Sequence, residues 1–314
     1  MDDQPGADDG VLDPERPNAL GHGFGVIGDE WTLLILRATF DGARKYGEIG
    51  AAFPISHAVL TARLDSLVAE DVLRKEVYQR NPVRSEYLLT EKGRGLWPVL
   101  TALWRWERTW APRDQGVTPT MVHATCGQEF VPAFCCSACA EPVVAQDVDS
   151  GWGPSGGWRR SVPHVQTRRR SGNRRQQEYF YPDTMAVFGN RWSSAIVGAA
   201  FMGLTRFNDF HDKLKVPPTL LAARLTSLCE SGILHQVVLP DRPDWSEYKL
   251  TPKGLDFFPV IGTTAAWAEH WYHEEAGDVL SWSHRSCGQA FTGVFHCDQC
   301  HEVLRGGDLR QGGA

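Results

Sequence analysis

Nowhere in its 314 residues does this chain approach the uninterrupted apolar run, about 20 residues long, that a membrane helix needs. An apolar segment of the secretory kind is also missing, so a cytoplasmic setting is expected, whose reducing poise disfavours disulfides among the eight cysteines. A positive excess is lacking too: the net charge is −6, the wrong sign for a chain that grips nucleic acid. The deficit is local. Asp2, Asp3, Asp8, Asp9, Asp13 and Glu15 crowd the first 17 residues against Arg16 alone, which leaves the remainder near neutral. No nucleophile–base pair stands out, and an enzyme is not expected. A charged fraction of 22% and an apolar fraction of 42% fit two soluble domains with sizeable cores.

What the chain does have is a repeat. The pattern H-x2-C-x9-C-x2-C occurs as His123, Cys126, Cys136, Cys139 and again as His284, Cys287, Cys297, Cys300, every member displaced by 161 positions. The same offset relates Trp31 to Trp192, Arg63 to Arg224, Tyr87 to Tyr248 and Trp110 to Trp271. A register that never slips makes each copy one folding unit. Two ligand pairs joined by a nine-residue arm suit tetrahedral Zn2+, with a tight turn presenting two side chains and a hairpin returning with two more. One histidine with three cysteines closes the coordination sphere, so two structural zinc ions per chain are expected, one in each copy. Disulfides or unpaired buried thiols are the competing readings. Cys135 and its counterpart His296 adjoin a ligand but differ in type between copies, and Cys229, matching Val68, reads as an inert core thiol.

In the first copy, residues 31–38 carry a helical apolar stripe, a turn follows at Asp41 and Gly42, and a short helix is expected over 46–53. A third helix over 56–69 has Ser56 as its N-cap and buries Leu60, Leu64 and Leu67. Strands over 72–77 and 86–89 flank a loop, 79–85, that contains Pro82. Three short helices followed by a two-stranded hairpin is the order of a winged helix-turn-helix, whose third helix enters the major groove. The second copy repeats this order over 192–250. A long helix over 92–110, with Leu96, Val99, Leu100, Leu103, Trp106 and Trp110 on one face, should bury that face against its counterpart, where Phe257, Val260, Ile261, Trp267 and Trp271 stand. Trp97, Trp104 and Phe258 on the adjoining face make a small apolar effector a candidate partner.

Through GDEWTLLILRATFDGARKYGEI, VLTARLDSLVAEDVL and SEYLLTEKGRGLWPVLTALWRW the chain resembles the HxlR group of bacterial winged-helix transcriptional regulators, relatives of the MarR proteins. GNRWSSAIVGAAFMGLTRFNDF, LLAARLTSLCESGIL and SEYKLTPKGLDFFPVIGTTAAW resemble it more loosely. Some members carry a similar cysteine-rich tail. The resemblance implies a DNA-binding regulator acting as a dimer of winged helices, with terminal helices building the dimer; here the duplication supplies both halves. Redox-sensing members place a cysteine about thirteen residues before the tryptophan, where this chain has Asn18 and Tyr179, which excludes a thiol switch there.

Double-stranded DNA is thus the expected partner. A projection from Leu60 turns Ala58, Thr61, Ala62 and Asp65 outward, and Thr219, Ala222, Ala223 and Thr226 in the second copy. Such small side chains touch thymine methyls but make none of the bidentate contacts of Arg, Asn or Gln, which favours readout by groove shape. Ser56 and His57 open the first recognition helix. Lys45, Arg63, Arg80 and Arg84 are the expected phosphate contacts of copy one; Arg206, Arg224 and Arg242 are those of copy two, whose wing is weakened by Asp241 and Asp244. Pro217 and Pro218 fit a helix first turn.

The expected fold is therefore α+β, mainly α: two tandem winged helix-turn-helix domains, each followed by a small zinc-bound β-hairpin, arranged as an intramolecular pseudo-dimer. The divisions expected are an acidic disordered tail 1–17, a winged-helix domain 18–115, a zinc-binding hairpin 116–148, a Gly/Arg-rich linker 149–178, a winged-helix domain 179–276, a hairpin 277–306 and a flexible tail 307–314. Arg159, Arg160, Arg168, Arg169, Arg170, Arg174 and Arg175 make the linker read either as a solvated tether or as a phosphate-contacting arm. Transcriptional regulation, with the protein on the nucleoid when DNA-bound, is the function expected. The alternative is an effector-binding or protein-interaction scaffold with weakened base-specific binding.

Overall fold

The computed structural model describes residues 13, 16–111, 119–163, 182–239 and 242–312. The first copy runs α1 (Ala19–Ile27), α2 (Glu30–Phe40), α3 (Tyr46–Ala51), α4 (His57–Ala69), β1 (Leu73–Arg80), β2 (Val83–Leu89), α5 (Glu91–Arg94) and α6 (Trp97–Trp110), then the tail strands β3 (Met121–His123), β4 (Pro132–Cys136) and β5 (Val148–Trp152). The second copy repeats the order as α7 (Pro182–Phe188), α8 (Arg191–Phe201), α9 (Phe207–Leu214), α10 (Pro218–Glu230), β6 (Leu234–Leu239), β7 (Arg242–Leu250), α11 (Pro252–Leu255), α12 (Phe258–Trp271), β8 (Leu280–His284), β9 (Gly293–Cys297) and β10 (Leu309–Gln311). The content is mixed and mainly helical.

Side-chain caps set the helix starts. Asn18 caps α1 through the Gly21 amide at 3.0 Å. Asp29 caps α2 by accepting from the amides of Trp31 and Thr32, and Asn190 does the same for α8 through Trp192. Ser56 caps α4 as expected, accepting from Val59 N at 3.4 Å. Leu60, Leu64 and Leu67 are all buried, and Leu221, Leu225 and Leu228 repeat that face in α10.

The helix expected over 92–110 is in fact two, α5 and α6, because Pro98 lacks an amide hydrogen and is accommodated only in a first turn. The wing is also tighter than the sequence suggests. Its strands extend to Arg80 and from Val83, leaving only Asn81 and Pro82 between them, since Gln79 and Arg84 still pair across the ladder.

Contacts between the copies are extensive. Helix α1 lies along α12, and α6 packs on α12, with Trp106 edge-on to Phe257 at 5.1 Å between ring centres. Reciprocal bonds fix the join: Trp106 Nε1 donates to the Lys253 carbonyl and Trp267 Nε1 to the Lys92 carbonyl, each at 3.0 Å. The aromatic faces of the two long helices are thus buried against each other's copy.

Short local hairpins form within each tail, with Val122 bridging Glu129 and Cys135 bridging Pro142 in the first, but they are not the whole pairing. Every tail strand pairs with one from the other copy: β3 with β10, β4 with β9 and β5 with β8, all antiparallel. In the middle pair, Phe134 stands opposite Phe295, its own counterpart in the repeat. Residues 148–163 are folded rather than a solvated linker. Beyond β5 the chain turns back, so that Arg160 is buried and bonded to Glu274 Oε2 (2.6 Å), Ser155 O (2.9 Å) and Arg16 O (3.1 Å). A guanidinium satisfied at three acceptors is no free phosphate contact. Arg168, Arg169, Arg170, Arg174 and Arg175 lie outside the described residues, as does most of the acidic tail.

Candidate metal centres and nucleic-acid interface

Strand exchange decides which ligands meet. Cys136 and Cys297 sit at opposite ends of the β4–β9 ladder, where Cys297 faces Pro132 and Cys136 faces Gly293. Four residues of strand carry Cys136 about 13 Å from its own copy's starting end, and Cys297 takes its place there. The result is two mixed clusters, His123, Cys126, Cys297, Cys300 and Cys136, Cys139, His284, Cys287. The eight expected ligands are the eight that assemble, but not within copies. This corrects the expectation of one zinc hairpin per copy. Identical motifs at identical spacing carry no mark of which copy completes which site.

The donor geometry suits a tetrahedral ion. In the first cluster His123 Nδ1 lies 3.4 Å from Cys126 Sγ and 3.3 Å from Cys300 Sγ, and Cys126 Sγ lies 3.9 Å from Cys297 Sγ. In the second, His284 Nδ1 is 3.3 Å from both Cys139 Sγ and Cys287 Sγ. Bonds of about 2.3 Å to sulfur and about 2.0 Å to nitrogen put tetrahedral ligands about 3.8 Å apart for two sulfurs and about 3.5 Å for sulfur and nitrogen. The histidines are buried, and Gly127 and Gly288, both at φ +70°, turn the chain directly after the second ligand.

The backbone N–H of Gln128 holds the Cys126 thiol below the ordinary cysteine range. At Cys136 burial pushes upward, but the N–H groups of Ala138 and Cys139 outweigh it. Cys139 and Cys300 receive backbone N–H bonds as well, yet burial and neighbouring thiols raise them. A bound cation relieves that crowding. Cys135 and His296 join neither cluster; Cys135 points to the Ala133 carbonyl and His296 Nδ1 lies 2.9 Å from the His301 carbonyl. Cys229 is half-buried, and burial pushes its thiol up.

On the recognition helices, Ala58, Thr61, Ala62 and Asp65 are exposed on α4, and Thr219, Ala222, Ala223 and Thr226 on α10. Tyr46, which the sequence offered only as a helix start, organises the first of these surfaces. Its hydroxyl donates to the His57 carbonyl at 3.0 Å and lies 3.1 Å from the Thr61 hydroxyl, while its ring stacks on His57. Lys45 leans on Glu48 at 3.4 Å and sits 5.6 Å from the Tyr78 ring centre.

Arg63 is half-buried, with Nε 3.3 Å from Asp29 Oδ1, so its charge is answered inside the fold by the residue that caps α2. Arg224 is likewise half-buried, and Arg206 lies 3.7 Å from Glu247. Arg80 and Arg84 stand exposed on the wing with no acidic partner among the described residues. The side chain of Arg242 and the whole of Asp241 lie outside the described residues.

Comparison with known proteins settles the kind of fold these surfaces belong to. The family model described as HxlR-like helix-turn-helix matches twice, over residues 26–115 and 187–276, together more than half of the chain. The chain belongs to the HxlR-like helix-turn-helix family. An uncharacterised HTH-type transcriptional regulator of Mycobacterium tuberculosis is 35% identical over 136 residues, which is 43% of this chain and 86% of that protein. The uncharacterised HTH-type transcriptional regulator YvaP of Bacillus subtilis is 37% identical over 86 residues, 27% of this chain and 80% of that one. The crystal structure of diamide-treated YodB from Bacillus subtilis aligns at 31% identity and a TM-score of 0.25, covering 28% of this chain and 89% of that chain. The two family matches make the HxlR-like chain a tandem duplication, and no helix among its described residues is long and apolar enough to cross a membrane.

Proposed function

We propose that this HxlR-like chain is a DNA-binding transcriptional regulator that works as an internal pseudo-dimer, laying two winged helices on one pseudo-palindromic site. The observation that carries the reading is the exchange of strands between copies, in which β4 meets β9 about the Phe134–Phe295 pair. Such self-matching register is what a two-fold axis produces. Two recognition helices related in this way reach successive major grooves when they lie about 34 Å apart. The surfaces of α4 and α10 differ, so the half-sites are imperfect copies. Because Ala58, Thr61 and Ala62, like Thr219, Ala222 and Ala223, offer methyl contact rather than bidentate bonds, discrimination rests on groove shape and A·T-rich half-sites.

Two structural zinc ions belong to the same reading. Each cluster offers a closed set of one imidazole and three thiols, drawn from both copies, so bound metal ties the halves together rather than stabilising either alone.

The test is selection of genomic fragments by the purified, metal-loaded chain, followed by footprinting. Enrichment of A·T-rich inverted half-sites one helical turn apart supports the proposal. Protection confined to one half-site reduces the second copy to a dimer partner, and no enrichment above non-specific binding at physiological salt leaves the scaffold reading in its place.

A further inference from the structure

The repeat offset maps one cavity of the molecule onto another. A narrow cavity of about 70 Å³ lies between α8, α12 and strand β8, with Gly198, Met202, Phe258, Ile261, Ala265 and Trp282 in its wall. At the matching positions Arg37, Asp41, Trp97, Leu100, Trp104 and Met121 line a cavity of about 450 Å³ between α2, α6 and β3. The second is of ligand size. The two have diverged in chemistry as well as volume. Where copy two presents Gly198 and Met202, copy one presents Arg37 and Asp41, and it adds Glu107 and Arg310 to the lining, whose counterparts Ala268 and Asp149 do not line the smaller cavity.

Inside the larger cavity the acidic groups are already engaged. Glu107 Oε1 accepts from the Thr184 hydroxyl at 2.8 Å, and Asp41 Oδ1 from the Gln311 amide at 2.8 Å. The Trp104 indole N–H is likewise spent on the Pro119 carbonyl. With Arg37 set against the Asp41 carboxylate, what remains is an apolar body built around Trp97, Trp104, Leu100 and Phe40, and an exposed Arg310 at the mouth with no acidic partner among the described residues.

We propose that the copy-one cavity binds one planar aromatic acid per chain, its ring against Trp97 and Trp104 and its carboxylate on Arg310. Arginine offers a carboxylate a planar fork of donors, and tryptophan faces suit a flat apolar ring. This goes beyond the DNA-binding reading and refines the expectation of a purely apolar effector. The occupant touches α2 of the first winged helix and β10 of the opposite copy, whose Leu309 pairs with the metal ligand His123. It therefore joins the DNA-reading unit to the strand exchange.

The probe is 2-naphthoate, titrated into metal-loaded, DNA-free protein and followed by calorimetry and tryptophan fluorescence, with 2-naphthalenemethanol as the uncharged analogue. Saturable binding is expected at one site per chain, about tenfold tighter for the acid than for the alcohol. Arg310→Gln should bring the two ligands within about twofold of each other, and Leu100→Trp, which fills the cavity, should weaken both by tenfold or more while metal content stays at the parent value. The proposal is overturned by absent binding at millimolar concentration, by two equal sites per chain, or by an acid preference that survives Arg310→Gln. Because no DNA is present, failure here leaves the regulator reading standing, and failure of the DNA selection leaves this site to be judged on its own titration.

Discussion

Gly23 and Thr184 are equivalent by the repeat, as are Ala268 and Glu107, yet the two contacts they make are built differently. Gly23 lets α1 close onto α12 so tightly that a Cβ there would collide with that of Ala268. Across the molecule, Thr184 instead donates to buried Glu107. Gly23→Ala should therefore cost about 1–3 kcal/mol through overpacking. Gly198→Ala, in the middle of α8 with open space at its Cβ, should gain up to about 1 kcal/mol from helix propensity. Urea unfolding of the two variants checks the opposite signs. Ion pairs separate in the same way. Arg160→Ala strands the carboxylate of Glu274 in a mostly buried pair and should cost about 3 kcal/mol. Arg285→Ala, whose pair with Asp149 is exposed on both sides, should cost under about 1 kcal/mol in the same assay. None of this was legible in the sequence, where Arg160 is one arginine among several and its acceptors lie far along the chain.

At the scale of elements, the winged-helix order was legible because caps, apolar spacing and turn residues act over a few positions. Ser56 and the Leu60, Leu64, Leu67 face are such local signals, and the structure places them as the spacing implies. The break between α5 and α6 was available in Pro98 but outweighed by an apolar stripe that continues across it. Arg63 shows the limit of projecting a helix surface: it lies on the flank of α4 as expected, but whether it faces phosphate or Asp29 depends on where α2 is packed. The wing and the helix flank should consequently respond differently. Replacing Arg80 and Arg84 together with alanine should weaken binding to all DNA sequences and flatten the slope of log K against log salt by about two units. Arg63→Ala should leave that slope within about half a unit while lowering stability by about 1 kcal/mol through the cap of α2. Salt titrations of both variants, with unfolding curves beside them, distinguish a phosphate contact from a positioning one.

For the whole molecule, the strand exchange turns metal content into a map of topology. Cys126→Ser with Cys297→Ser strikes one cluster twice and should leave one zinc per chain. Cys126→Ser with Cys136→Ser strikes both clusters and should leave neither tightly held, although the substitutions sit in one copy. Ligands paired within copies would give the reverse, and elemental analysis of the two double variants decides between them. Acid should open both clusters together, since protons compete with metal for thiolate and imidazole, and structural zinc of this kind contributes about 10 kcal/mol or more to folding. The exchange was beyond reading from residues because two copies of one motif are interchangeable as text. It also imposes a schedule on synthesis. His123 and Cys300, which share a cluster, are 177 positions apart, a stretch that takes on the order of ten seconds or more to translate at about 5–20 residues per second. Throughout that interval the first copy's winged helix can already be folded while its thiols wait in half-formed sites, so it is arrival of the second tail, not folding of either half, that closes them.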